Sequence, residues 1–357
     1  FVGPDQLHGF EQRLTTDMYP ADFGWTPDYR QAGDRIDWCY PNMGSVMGAG
    51  VGETSNQLEY DGEVAHHATG KLYDLARGDD SRPWCLTVSF THPHGPYVAR
   101  KKYWNLYDDC AHFLPEVSAI PYPDQDAQSR RIFDANDWLT CEITEDQIKA
   151  LRLAYFANIS YLDDKIGEVL EVLETTGQEA TILFVSDHGD MLVERGLWFK
   201  MSFYEGSARV PLIVSSPDLA LGAVTTPVST IDVCPTLCDL AGVSMVEVMP
   251  WTSEESLLPL AAGGTRSKPV AMEYAAEASY APRVSLCSDR WKYTRCVLDP
   301  EQLFDLEADP NELRNLASNT QYGEVFIRSA RTIPSALGAR SVRCRCPRES
   351  GPSPGGV

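Results

Sequence analysis

The chain has 357 residues, a formal net charge of −21, and 43% hydrophobic residues. That length and apolar content suit one large domain with a sizeable core and a smaller domain beside it. So acidic a surface argues against nucleic acid as a partner, because phosphate binding requires the opposite sign.

Residues 1–60 are loop-rich, with many Gly, Pro, Asp and aromatic residues and little periodicity. A long irregular stretch of this kind commonly wraps a site. Residues 63–77 read as a helix and residues 84–90 (WCLTVSF) as a buried strand, followed by the loop Thr91–Tyr97 (THPHGPY). Residues 98–143 are again irregular. The clearest helix runs from about Glu145 to Thr176, where Ile148, Leu151, Tyr155, Ile159, Leu162, Ile166, Leu170 and Leu173 recur at three- and four-residue steps. Thr181 to Val185 reads as a parallel strand covered on both faces, and it runs into Ser186-Asp187-His188-Gly189-Asp190. Residues 211–215 give another strand and 229–241 another helix. Alternating strands and helices of this kind predict an α/β fold.

After about residue 245 the texture changes to short antiparallel strands at 269–274, 283–289 and 291–296, closed by 302–306. Asp309-Pro310-Asn311-Glu312 then has the form of a helix start, with Asp309 as N-cap and Glu312 at the third position. The expected division is 1–245 as the main domain, 246–321 as a smaller α+β domain, and 322–357 as a disordered or aberrant tail. That tail carries six arginines and no acid between Arg328 and Arg348. No run of about 18 apolar residues is present, so no membrane-spanning helix is expected. No signal peptide opens the chain. The first residue is Phe1 rather than Met, so the true start is expected further upstream. The ten cysteines are irregularly spaced, as buried thiols in a reducing compartment would be.

Three segments carry chemistry. Ser186–Asp190 ends a buried strand, where α/β sheets bind ligands, and presents a carboxylate beside an imidazole, a pairing that suits a divalent metal. A strand-ending turn would use the same residues for geometry alone. Thr91–Tyr97 should open on the same edge, and two histidines stiffened by two prolines can donate to an anion or protonate a leaving group; a rigid surface turn is the plainer alternative. Lys200 follows Asp187 within reach of that edge. A fixed ammonium is what a transferred sulfuryl or phosphoryl group needs as charge builds on it, although most lysines are solvated surface charges. Glu205 and Arg209, at i and i+4, read as a structural ion pair.

SDHGD, the downstream Lys200, the histidine–proline loop and EGSARVPL at 205–212 together resemble the sulfatases of the alkaline-phosphatase superfamily. WKY at 291–293 and QLFDLEADPNELRNLA at 302–317 resemble the C-terminal hairpin and helix of that family. Residues 1–29 and 160–174 resemble choline sulfatases in particular. The resemblance covers roughly residues 1–320. It implies a central mixed sheet flanked by helices, with a smaller C-terminal unit.

The resemblance also implies roles. Asp187 and His188 would be two ligands of a divalent cation, calcium first, with manganese or magnesium as alternatives. His94 and Lys200 would contact the sulfate oxygens, and one of them would assist departure of the choline oxygen. Trp25 would wall the quaternary ammonium and Glu277 would add a carboxylate near it, with Glu273 a close alternative in the alignment. Cys39-Tyr40-Pro41 stands where relatives often have a histidine, and Gly95 where they tend to have an acid. The family's nucleophile, a formylglycine made from the cysteine of a C-x-P-S-R segment, has no counterpart in these 357 residues. An early Asp–Asp pair of the metal set and a G-K-x-H sulfate-binding segment would likewise precede Phe1.

The implied reaction is hydrolysis of choline O-sulfate in the cytoplasm, on the way to glycine betaine, by a homo-oligomer. This chain alone is expected to lack turnover. A phosphonate or phosphate monoester hydrolase and a non-catalytic anion- or choline-binding remnant are the alternatives.

Overall fold

The computed structural model describes residues 7, 9–15, 43–107, 114–136, 138–248, 255–266 and 268–336. Trp25 and Cys39-Tyr40-Pro41 lie outside these residues.

Helix α1, Asn56–Arg77, begins at an extended Ser55 whose hydroxyl accepts the Leu58 N–H. Leu58, Val64, Ala65, Ala68 and Leu72 recur on one face and are buried. Helix α2, Ala127–Ala135, starts at Asp126, whose carboxylate accepts the N–H groups of Gln128 and Ser129. Helix α3, Glu145–Thr175, starts with a reciprocal cap: the Thr144 hydroxyl accepts the Gln147 N–H, and the Gln147 side chain accepts the Thr144 N–H. α1 and α3 pack together, and Tyr161 on α3 donates its hydroxyl to the Leu58 carbonyl at 3.0 Å.

Strand β1, Ile182–Val185, leads to the short helix α4, Glu205–Ala208, and then to β2, Leu212–Ser215. β1 and β2 pair antiparallel, with Ile182 opposite Ser215 and Val185 opposite Leu212. The parallel, doubly covered strand expected at 181–185 is therefore corrected in detail. Its apolar residues are half-buried, and Val185 and Ile213 are exposed. Residues 84–90 are extended but join no ladder among the described residues, and Trp84, Cys85, Thr87 and Ser89 are exposed. An apolar run reports affinity for a sheet; the ladder itself needs a neighbouring backbone.

Helix α5, Val233–Leu240, is preceded by a single 3₁₀ turn whose start is fixed by Asp232. The Asp232 carboxylate accepts the Ser229 N–H at 2.8 Å and a bidentate pair from Arg266 at 2.5 and 3.1 Å, all out of contact with water.

The C-terminal sheet has the order β3 (Val270–Tyr274), β4 (Arg283–Ser288), β5 (Trp291–Cys296) and β6 (Gln302–Asp305), antiparallel throughout. Leu286, Tyr293, Leu303 and Leu316 form its own small core. No helix follows Asp309. Its carboxylate accepts the N–H groups of Leu313 and Arg314 in a turn, and Glu312 takes a left-handed backbone with φ 53°. Helix α6, Gly323–Ala336, occupies residues whose composition suggests disorder. Val325 and the Tyr322 ring, 5.7 Å from Trp291, place its start against the sheet. Residues 337–357 lie outside the described part.

None of the six described cysteines is in a disulfide, and only Cys296 is buried, so the expectation of buried thiols holds for that residue alone. Among the described residues no helix is long and apolar enough to cross a membrane.

Asp232→Ala takes the bidentate carboxylate from the buried Arg266 guanidinium, whose Nε also stands 3.9 Å from the exposed Glu255 carboxylate. Loss of one partner of such a pair costs roughly 3–5 kcal/mol. Urea unfolding of the variant is expected to show a loss of that size.

Candidate active site

The apolar residues of β1 carry the chain to Ser186, where polar residues take over at the strand's C-terminal end. The Ser186 hydroxyl donates to the His188 carbonyl at 2.9 Å, and Asp187 Oδ1 accepts the His188 N–H at 2.9 Å. These local bonds shape the turn, and the Asp187 side chain stays 85% exposed. His188 Nδ1 donates to the Gly189 carbonyl at 2.9 Å, which leaves Nε2 facing Asp187 Oδ2 at 3.5 Å. Gly189 is required by close approach. A Cβ there would stand 2.2 Å from the Gly206 carbonyl oxygen, and the Gly189 N–H donates to the Ser207 carbonyl at 2.8 Å. Helix α4 is thereby seated directly on the loop.

The loop Thr91–Tyr97 is clamped at both ends. Asp61 of α1, fully buried, accepts the Thr91 N–H at 2.7 Å, the His92 N–H at 3.0 Å and His92 Nδ1 at 2.6 Å. At the other end the Tyr97 hydroxyl donates to Asp190 Oδ2 at 2.7 Å, while Asp190 Oδ1 accepts the Leu192 N–H. Between the clamps sits His94. Its Nδ1 is 2.7 Å from the Gly95 carbonyl, and its Nε2 is 3.0 Å from Lys200 Nζ. Its ring centroid is 6.5 Å from that of His188.

Lys200 is half-buried on a segment with an unusual backbone: Leu192, Val193, Arg195, Phe199 and Met201 all have φ between 43° and 79°. Burial lowers the Lys200 pKa, opposed by the charges of Glu277, Asp187 and Asp190. His94 keeps one edge in water, yet the packing around its ring and then the Lys200 charge hold its pKa below the ordinary value. Glu277 is half-buried, and burial raises its carboxyl pKa against the pull of Lys200. Glu273 is exposed on β3, so the acid that faces Lys200 is Glu277. Burial also raises the Asp190 carboxyl.

His94, Lys200, Glu277, Asp187 and His188 therefore lie around one sheet edge. With Nδ1 turned to the Gly95 carbonyl, the His94 ring offers Nε2 as the acceptor for the Lys200 ammonium. Asp61, Tyr97 and Asp190 escaped the sequence reading. Tyr97 and Asp190 sit within the quoted motifs, but nothing in a linear pattern pairs them.

The sulfatase family model matches residues 7–243, and the model for the N-sulphoglucosamine sulphohydrolase C-terminal region matches residues 193–334. The chain belongs to the sulfatase family. Choline-sulfatase from Rhizobium meliloti strain 1021 is 63% identical over 324 residues, which cover 89% of this chain and 63% of that protein. Arylsulfatase K from Gallus gallus is 36% identical over 264 residues, or 66% of this chain and 48% of that protein. The chain thus spans less than two thirds of these relatives. The phosphonate monoester hydrolase of Agrobacterium radiobacter superposes with a TM-score of 0.61 at 22% identity, over 78% of this chain and 60% of that one, and bears out the α/β fold.

The donor set of this sulfatase fits a divalent cation in orientation but not in number. His188 presents its Nε2 beside a carboxylate, with the other ring nitrogen fixed by a carbonyl, as metal-binding histidines do. Among the described residues, however, no group of three or more His, Cys, Asp or Glu side chains converges. Asp187 and His188 are two ligands at most, against the six to eight that calcium takes.

Removing the Lys200 charge should let His94 hold its proton more tightly. In Lys200→Met the His94 titration, followed by histidine NMR, is expected to move up toward the ordinary value of about 6.5, remaining below it because burial persists.

Proposed function

We propose that the chain serves a sulfuric ester hydrolase of choline-sulfatase type, which converts choline O-sulfate and water into choline and sulfate. The observation that carries this reading is the His94 Nε2–Lys200 Nζ contact of 3.0 Å, held beside Asp187 and His188. The 63% identity to a choline-sulfatase supports the choice of substrate.

In this reading Lys200 and His94 bind the sulfate oxygens. An ammonium in a partly desolvated site acts more strongly on the charge of the transferred group than it would in water. A proton of the Lys200 ammonium is available to the departing choline oxygen, and the lowered Lys200 pKa makes it a better acid for that step. Asp190 and Tyr97 keep the two loops in register. Glu277 lies where a carboxylate can meet both Lys200 and a cationic substrate. Trp25 would supply an aromatic face for the quaternary ammonium, a contact worth about 0.5–2 kcal/mol.

A divalent cation bound by Asp187, His188 and further groups would neutralise charge on the sulfate oxygens. The carboxylate favours calcium, manganese or magnesium, and the imidazole favours a transition metal, so manganese is a candidate beside calcium. The C-x-P-S-R pattern does not occur in the 357 residues, so no residue of this chain is assigned as nucleophile. The absence of disulfides among the described cysteines supports a reducing, cytoplasmic setting.

Calorimetric titration tests the reading. Choline O-sulfate is expected to bind more tightly than inorganic sulfate, and the difference should shrink by about 2- to 30-fold in Trp25→Ala, following the cation–π range. Lys200→Met should weaken both ligands, and Asp187→Ala should remove any strengthening by added calcium or manganese. Sulfate affinity unchanged by Lys200→Met would sink the proposal. Equal affinity for a phosphonate monoester would favour the hydrolase alternative. Choline release by the chain alone would show that a nucleophile other than formylglycine operates.

A further inference from the structure

The segment that presents Lys200 is strained, and its surroundings must hold it. Single residues in the left-handed region cost on the order of 1–3 kcal/mol each and persist only where neighbours over-determine them. Five such residues occur between Leu192 and Met201. Within the segment, the Met191 N–H donates to the Phe199 carbonyl at 2.7 Å and the Val193 N–H to the Leu197 carbonyl at 2.8 Å. Further restraints come from outside: Arg152 donates to the Leu192 carbonyl at 2.6 Å, Gln125 to the Arg195 carbonyl at 2.7 Å and Gln128 to the Met201 carbonyl at 3.3 Å.

The restraint that comes from the C-terminal unit is Glu312, 2% exposed, with its own φ at 53°. Glu312 Oε1 accepts Lys292 Nζ at 2.9 Å, and Oε2 accepts the Glu205 N–H at 2.7 Å. Its backbone carbonyl accepts Arg195 Nη1 at 2.8 Å, and the Asn311 carbonyl accepts the same nitrogen at 3.1 Å. Lys292, buried on β5, also donates to the Phe203 carbonyl at 2.7 Å and contacts Glu205 Oε1 at 2.5 Å. One residue thus grips the strained segment at Arg195, directly through its carbonyl, and at Phe203 and Glu205, through its carboxylate and Lys292. Lys200 lies between those grips. Beyond Glu205, α4 continues to the close approach of Gly206 and Gly189, so the Asp187–His188 loop rests on the same anchor.

We infer that Glu312 is a positioning residue for Lys200, through which the C-terminal sheet holds the ammonium against His94. It touches neither substrate nor Lys200 itself. The inference deepens the proposed function, but its test reads the placement of Lys200 without any ligand, so the two can fail separately.

The test compares the chain with Glu312→Ala and Glu312→Gln. Hydrogen exchange is followed by mass spectrometry, together with competitive acylation of lysine amines. In Glu312→Ala, peptides from 191–203 are expected to exchange at least about fivefold faster while α3 peptides stay unchanged. Lys200 acylation should rise several-fold relative to exposed Lys101. Glu312→Gln keeps one acceptor oxygen and sets an amide NH2 against either the Glu205 N–H or the Lys292 ammonium, so 191–203 should loosen measurably but less than in Glu312→Ala. Loosening confined to β3–β6 with Lys200 reactivity unchanged would overturn the inference, as would uniform loosening that includes α3. Should Glu312→Ala not fold, the unaltered chain in low urea decides: segments 191–203 and 302–316 must open together with one denaturant dependence, and separate opening would overturn the inference.

Discussion

A buried ammonium between two carboxylates, Lys292 with Glu205 and Glu312, joins the two halves of this molecule. Lysine has three donor hydrogens, and here three acceptors surround it: the two acids and the Phe203 carbonyl. Burying such charges is costly unless every donor and acceptor is matched, and the matching fixes where β5 can lie against the segment that follows Lys200. Arg195 extends the arrangement. It donates to two carbonyls of the Asn311–Glu312 turn and lies 4.2 Å from the Tyr204 ring centroid. The C-terminal sheet is thereby part of the framework of the site edge, although the residues read as site-forming, apart from Glu277, come from the larger unit.

At the site edge His94, Lys200, Glu277 and Asp190 are each perturbed by withdrawal from water. A neutral imidazole faces an ammonium, with a buried carboxylate behind it and Glu277 to one side. Each pKa direction follows from burial first and from the neighbours second. In the proposed reading, a sulfate bound there would restore to Lys200 and His94 the favourable interactions that burial removed.

Much of this was legible in the sequence because it is local. The three- and four-residue spacing carries α3 almost to its observed end, and the four short strands after residue 269 appear where expected, whereas α1 begins at Asn56, seven residues before the expected start. The SDHGD and THPHGPY segments were assigned to one edge because each follows an apolar run, and their histidines do meet there. The failures are non-local. Asp309-Pro-Asn-Glu312 has the form of a helix start, but Lys292, twenty residues earlier, draws Glu312 inward and the backbone turns left-handed instead. The apolar runs at 84–90 and 181–185 do not specify their ladder partners. One run is unpaired among the described residues, and the other is antiparallel. Asp61 and its bonds to the His92 region span some thirty residues, and no pattern in the chain joins them. Family resemblance supplied Glu277, and the structure separates it from Glu273 by orientation alone.

The exposed apolar residues of β1, β2 and the run at 84–90 have a colloidal consequence. Val185, Ile213 and Trp84 are exposed beside backbone that, among the described residues, lacks neighbours on at least one side. Such edges invite pairing between molecules. The net charge of −21 opposes that encounter by mutual repulsion, and dissolved salt weakens the repulsion over about 10 Å at 0.1 M ionic strength. The acidity that identified no ligand thus acts as the chain's solubilising coat, and ionic strength governs how well the coat works.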